Sequence, residues 1–598
     1  MIYDSRFKDN RIPLLMASQQ QKRYMNVKSY IDDIRLGYIR YPPSAPESVP
    51  ESVPAPAPAS EWATIGEFTV TENGAVALAT TGSACLNFFS SVMARDKSTA
   101  MSDDNITLLL QESWKESRDL TLRLIAHLRD VRGGKGERHA AEVCWRWLLQ
   151  NHPEQVTANA VNIPFYGRWS DLQDTFTGTA FMQEAMVILA KQLLQDREVL
   201  KELDATECPE RSRKLLALIS LAAKWAPTED RHDDIRARSI NRSVNSRQGY
   251  YLAVPSVLVA TYLWENDGHG AVPGDLRGVM KNYRVNYLTP LRAAIGVVET
   301  LLCANKYDDI DFNKVPSVAM LRYTRKCFPR HMPERFQAWQ KDVLLGKAKI
   351  NMDGVDPYQV VDRLMGDKTI HEGEIATLEA FYLESIKSLR TKGTCGKTCV
   401  IADTSGSMRG TPMTVSVAMA IWISACANEE WRDLFYTFST TPVEVSLKSC
   451  ESLNERVRVV SKAHWGGTTN LLATFDLMLQ KARANNYTAD QMPTRLVIIS
   501  DMQFNQACGP FTNLDTARQM YRVAGYPFPD IVFWNVRGNV SKGTGFPAHS
   551  AECGVVMISG FSKCMIDILL DNEPMPTAYE LMVKTLMNKR YDRMVTVV

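Results

Sequence analysis

The sequence predicts a multi-domain chain: a module of stacked α-helices followed by an α/β domain with a doubly wound, mostly parallel sheet. Three observations predict it. Apolar residues recur at three- and four-residue spacing between residues 95 and 390, the period of amphipathic helices. Near residue 394 the rhythm changes to short, wholly apolar runs alternating with helical stretches, as strands buried on both faces require. Two of those runs end in aspartate, at Asp403 and Asp501.

Taken in order, residues 1–41 form a small N-terminal segment with eight Lys/Arg against four Asp. Residues 42–60 read as a linker, with seven prolines between 42 and 58 and a doubled Glu-Ser-Val-Pro. Proline fixes φ and removes a donor, so this stretch is semi-rigid and solvated. Residues 61–393 are assigned to the helical module, with helical runs at 106–130, 137–153, 179–203 and 212–227. Their rhythm suggests stacked, HEAT-like helical pairs, although no exact sequence period is present. Residues 394–598 are assigned to the α/β, Rossmann-like domain. Strands are predicted at 397–403, 494–501, 530–536 and 554–560, and a hairpin at 434–447. Helices are predicted at 412–428, after Asn470, at 514–524 and at 577–590. In such sheets ligands bind beyond the carboxyl ends of the strands, where Asp403 and Asp501 stand.

Composition excludes several classes. With 45% hydrophobic and 23% charged residues the chain is neither wholly disordered nor collagen-like. Lys+Arg at 69 against Asp+Glu at 67 gives a net charge of +2, so any nucleic-acid surface must be local. The twelve cysteines include no CxxC pair, which argues against a structural zinc site or a disulfide framework. Scattered cysteines and a charged start without an apolar leader read as reduced and cytoplasmic. The uncharged runs Asn73–Ala94 and Gly410–Asn428 are too polar and broken to face lipid, and a buried helix explains the second better.

The strongest local signal is Asp403-Thr404-Ser405-Gly406-Ser407, a carboxylate and two hydroxyls in a tight loop between strand and helix. The D-x-S-x-S order resembles the metal-ion-dependent adhesion site (MIDAS) of von Willebrand factor A domains. Trp465-Gly466-Gly467-Thr468-Thr469-Asn470 resembles that family's second loop, which supplies a threonine. Ile499-Ser500-Asp501 resembles its third, which supplies an aspartate. The resemblance implies a metal set of Asp403, Ser405, Ser407, Thr468 and Asp501, with Thr469 as the alternative to Thr468. These hard oxygen donors suit Mg²⁺ or another divalent cation, leaving it able to accept a carboxylate or phosphate oxygen from a partner. A phosphate-binding loop at Gly393–Thr398 is excluded because position 391 is Thr and the segment precedes a strand. A nucleophilic serine would need a base, and His464 is the only histidine in these loops, so the chain is read as non-enzymatic.

The helical half carries a second resemblance. Arg129–Arg138, Tyr166–Leu172 and Asp311–Ser317, with Gly346–Ile350, are similar to a little-characterised family in which a helical module precedes an A domain. The plan is also similar to that of the Ro autoantigen family, whose helical TROVE module joins an A domain and binds RNA. Charge adds independent support. Residues 311–350 hold nine Lys/Arg against three acids, and residues 234–247 hold four Arg against one Asp. Arg236, Arg238, Arg242, Arg322, Arg325, Lys326, Arg330 and Arg335 are the candidate RNA contacts, with Tyr323, Trp339, Tyr250 and Tyr251 near enough to stack bases. Arg322, Arg325 and Lys326 would share a helix face, with Pro329 ending the helix. Gly133-Gly134-Lys135-Gly136 could cradle a phosphate but reads better as a turn. The expectation is a cytoplasmic ribonucleoprotein component that binds RNA and holds a metal-dependent ligand site. The alternative is a protein–protein adaptor whose metal binds an acidic partner without nucleic acid.

Overall fold

A computed structural model describes residues 68–71, 73–95, 100–229, 254–352, 354–366, 370–438, 442–462, 470–505, 513–538, 545–570 and 575–597. The N-terminal segment and linker expected over 1–60 lie outside the described residues, as do Arg236, Arg238, Arg242, Tyr250, Tyr251, Thr468 and Thr469. The described residues belong to one compact unit, Ala59–Val598. It is helix-rich, with one six-stranded mixed sheet.

The span assigned to helices opens with a β-hairpin, β1 (Phe68–Val70) antiparallel to β2 (Val76–Leu78). The hairpin docks on the distant α/β region. Leu78 and Phe546 exchange N–H···O bonds of 2.9 and 2.8 Å, and Thr71 Oγ1 donates to the Phe504 carbonyl at 2.7 Å. Helix α1 (Ala84–Ser91) follows, capped by Ser83, whose side chain accepts from the Leu86 N–H.

Helix α2 (Asp103–Glu116) begins at Ser102, with Asp103 and Asp104 favoured by the helix dipole in its first turn. Helix α3 (Arg118–Arg129) is a separate helix. Ser117 is extended (φ −155°), and its hydroxyl accepts from the Leu120 N–H at 3.3 Å. One serine thus closes α2 and caps α3, so the periodic run 106–130 forms two helices. α4 (Arg138–Asn151), α5 (Pro153–Asn159), α6 (Met182–Asp204) and α7 (Pro255–Asn266) continue the array, each packed on a neighbour.

Further along come α8 (Ser317–Tyr323), α9 (Cys327–His331), α10 (Pro333–Leu344), α11 (Pro357–Met365) and α12 (Glu372–Lys392). Here the structure corrects the expected single face through 322–330. α8 stops at Tyr323, and Thr324–Lys326 form a turn. The buried Thr324 hydroxyl lies 2.9 Å from that of Thr377 on α12, which pulls the turn inward. Pro329 sits inside the short α9, near the helix start, where a missing N–H costs no intrahelical bond.

The sheet follows the order β5-β4-β3-β6-β7-β8. Its strands are β3 (Thr398–Asp403), β4 (Leu434–Phe438), β5 (Val443–Ser446), β6 (Arg495–Ser500), β7 (Asp530–Asn535) and β8 (Val555–Ser559). Every pair is parallel except the β4–β5 hairpin. β3, β6 and β8 are buried at every position, which is why they read as unbroken apolar runs. Helix α13 (Thr411–Cys426) is buried from Pro412 to Cys426, which explains its uniform apolarity without a lipid phase. Among the described residues no helix is long and apolar enough to cross a membrane. α14 (Leu453–Ser461), α15 (Leu471–Ala484), α16 (Asn513–Ala524) and α17 (Ala578–Leu586) complete the domain.

Candidate metal and ligand site

β3 lies at the centre of the sheet, and the chain leaves it toward β4 on one side before crossing to β6 on the other. That reversal is the topological switch point, where the crevice beyond the carboxyl ends opens. In register, Ala402 pairs with Ile499 and Ser500 with Asn535, so Asp403, Asp501 and the loop after β7 converge there.

Asp403 is fully buried. Its Oδ1 accepts from the Ser405 N–H at 2.8 Å and its Oδ2 from the Ser500 hydroxyl at 2.6 Å. The Ser405 and Ser407 hydroxyls are 3.0 Å apart. Ser405 is buried and Ser407 half-buried. Asp501 is also buried. Its Oδ1 accepts from the Gln503 N–H at 3.2 Å, and its Oδ2 from Arg537 Nη1 at 3.2 Å. The same Nη1 reaches the Ser407 carbonyl at 3.4 Å, tying the first loop to the third. Met502 turns the chain with φ +62°, and its N–H donates to Ser500 Oγ at 3.1 Å.

The site concentrates buried negative charge. Burial first, and the negative charge of Asp501 second, push the Asp403 carboxyl well above the usual carboxylate range. Positive charge placed between the two buried carboxylates would favour the ionised form of Asp403. Thr404 Oγ1 is buried without a hydrogen-bond partner among the described residues. The described members of the predicted set, Asp403, Ser405, Ser407 and Asp501, therefore come together and offer hard oxygen donors that fit a divalent cation. No group of three or more His, Cys, Asp and Glu side chains that could hold a metal occurs among the described residues, since half of this set is hydroxyl. Two site residues escape the sequence reading. Ser500 was visible only as the neighbour of Asp501, and Arg537 follows β7, the strand beside β6, without a motif of its own.

The predicted basic residues divide. Arg322, Arg325, Lys326 and Arg330 are exposed. Arg325, Lys326 and Arg330 have no ion pair among the described residues. Arg335 is committed internally: it donates to the Tyr307 and Ile310 carbonyls at 2.9 and 2.8 Å and stacks on Phe312. Trp339 is buried and donates to Asn313 Oδ1 at 3.1 Å, so it offers no free ring. An unforeseen aromatic pair takes its place beside Arg330: Tyr307 and the exposed His331 stack at 4.6 Å and 12°. The Gly133–Gly136 loop is a turn whose lysine points inward. Lys135 Nζ is buried and bonded to the Phe89 and Val92 carbonyls and to Ser559 Oγ, so it is not available to a phosphate.

A helix-rich region continuous with an α/β domain built on a six-stranded mixed sheet, carrying clustered oxygen donors beyond the strand ends, is the class of protein defined here. Residues 71–172 and 179–394, more than half of the chain, match a family described as "Domain of unknown function (DUF2828)", and the chain belongs to that family. Residues 397–595 match a second description, "Domain of unknown function (DUF7788)". The junction between the two falls at the end of α12 and the start of β3. The chain is similar to "Uncharacterized protein L728" of Acanthamoeba polyphaga mimivirus, 28% identical over 533 residues, covering 85% of this chain and 86% of the relative. No solved structure matches it.

Proposed function

We propose that the protein is a non-enzymatic, cytoplasmic RNA-binding protein with a Mg²⁺-dependent ligand site of the von Willebrand A type. The observation that carries the reading is the convergence of Asp403, Ser405, Ser407 and Asp501 from two loops at the switch point. With a residue of the Thr468 loop these would hold the cation, which supplies a Lewis-acidic position for an anionic oxygen of a ligand. Arg537 keeps Asp501 oriented and adds positive charge beside it. The HEAT-like, TROVE-like reading of the helices gives RNA a second surface, and the exposed Arg322, Arg325, Lys326 and Arg330 support it. The adaptor reading, in which the metal binds an acidic protein and no nucleic acid is bound, is the rival, and RNA retention separates the two.

Titration calorimetry tests the metal site. Mg²⁺ or Mn²⁺ should bind the native chain and fail to bind Asp403→Ala, whose circular dichroism should show the same secondary structure because Asp403 is the last residue of β3. Equal binding by both proteins would remove the assignment.

A further inference from the structure

After α17 and a 3₁₀ turn at Lys589–Tyr591, the chain turns at Asp592–Arg593, and residues 594–597, here called the C-terminal strand, run, without regular secondary structure, across the helical module. The strand meets a ladder of amides. Gln155 and Asn159 lie on α5, and Asn162 lies in the helical turn that continues it. Their spacing of four and three residues puts them on one helix face. Asn162 Nδ2 donates to the Arg593 carbonyl at 2.8 Å. Asn159 receives the Val595 N–H and donates to the Val595 carbonyl, both at 2.8 Å. Gln155 does the same for Val597, at 3.0 and 2.7 Å. The residues read are every second one of the strand, as a sheet edge would read them, but the donors and acceptors are side chains.

The amides recognise backbone, and two further contacts recognise sequence. The Arg593 guanidinium stacks on Phe165 at 4.3 Å, and Met594 is buried. Beyond Met594 little apolar surface holds the strand, since Val595 is 54% exposed. Its attachment there is almost wholly hydrogen bonding, worth about 1 kcal/mol net per bond. Gln155 and Asn159 are buried in this structure, and the strand's backbone groups are their partners. A face that leaves paired amides in need of an extended backbone can take that backbone from another molecule as well.

We propose that the Gln155–Asn159–Asn162 face is a peptide-binding site, held closed in cis by Arg593–Val597, whose ligand is an extended segment of a partner protein. That segment carries a basic residue followed by a large apolar one, the pattern that fits Phe165 and the Met594 position. The site is independent of the metal loops and of the basic face.

A fluorescently labelled synthetic peptide of residues 590–597 tests it by anisotropy on the full chain. Val595→Pro removes the N–H that Asn159 accepts and disfavours the cis strand while leaving the receptor face intact. The peptide should bind this variant at least tenfold more tightly than the native chain. Adding Gln155→Ala and Asn159→Ala to Val595→Pro should abolish the gain. Equal binding by native and Val595→Pro chains, or binding that survives the two alanines, overturns the proposal. Should Val595→Pro fail to fold, hydrogen exchange on the native chain decides. Saturating peptide should accelerate exchange of the Val595 amide as the cis strand is displaced, and an unchanged rate counts against the site.

Discussion

Arg537 and Lys135 are the two cations that the fold places at its most consequential residues. Arg537 is one-fifth exposed and pairs with a carboxylate that is not exposed at all. Replacing it by glutamine leaves Asp501 buried without a counter-charge, and the metal-free protein should lose about 1–3 kcal/mol. Mg²⁺ should restore more stability to Arg537→Gln than to the native chain, because the cation supplies the missing charge. Melting curves with Mg²⁺ and with chelator check both parts, and equal Mg²⁺ effects would separate Arg537 from the cation site. Lys135 shows how burial governs a proton. Desolvation, partly opposed by Glu137, lowers its pKa from 10.5 to about 7. Between those values the unfolded chain holds a proton that the folded chain has released, so this residue makes unfolding harder as pH rises from about 7 to 10. The melting temperature of the native chain relative to Lys135→Met should therefore climb over that interval. A difference that stays flat would mean that Lys135 keeps its proton among the Phe89 and Val92 carbonyls.

At the scale of elements, what was legible in the sequence was periodicity and what was hidden was long-range contact. The strands predicted at 397–403, 494–501, 530–536 and 554–560 appear within two residues of those bounds, because burial on both faces leaves an unbroken apolar run. The clustering of Asp403, Ser405 and Ser407 was legible because these residues alternate along five positions of the chain, and the structure brings Asp501 to the same strand ends. The hairpin at 68–78 was not: three-residue strands carry no period, and their partners lie more than 400 residues away. The inward turn at Thr324 was hidden for the same reason, its cause being Thr377. The join between helices and sheet rests on another such contact. Trp422 of α13 is buried, its indole N–H donates to Ser385 Oγ at 3.0 Å, and its ring meets Tyr382 edge-on at 4.8 Å, both on α12. Trp422→Ala should destabilise the chain by about 3–5 kcal/mol. Chemical denaturation should show one transition in the native chain and, in the variant, a loss in that range. A loss below about 1 kcal/mol would mean that the join does not depend on this ring.

Across the whole molecule the net charge of +2 hides an uneven distribution, and RNA binding turns on it. Arg322 lies in the last turn of one short helix, Arg325 in the turn after it and Arg330 in the next short helix, so they do not line one straight helical stripe. Such a cluster can contact phosphates of an unpaired strand while Tyr307 and His331 offer a stacking surface to its bases. Each phosphate contact to single-stranded nucleic acid contributes about 0.7 to the slope of log K against log salt. Replacing the three arginines with glutamate should therefore reduce that slope by roughly 2 for a mixed single-stranded RNA pool, and weaken binding with little sequence preference. The same variant should bind Mg²⁺ as the native chain does, since none of the three touches Asp403 or Asp501. The two measurements together separate the readings of the molecule. A reduced slope with unchanged Mg²⁺ binding places RNA on the helical face and leaves the cation for another ligand. An unchanged slope, with binding that instead requires Mg²⁺ and Asp403, would put a phosphate on the metal. No retention of RNA by the native chain at low salt would give the adaptor reading the advantage, with an acidic protein group as the ligand of the cation.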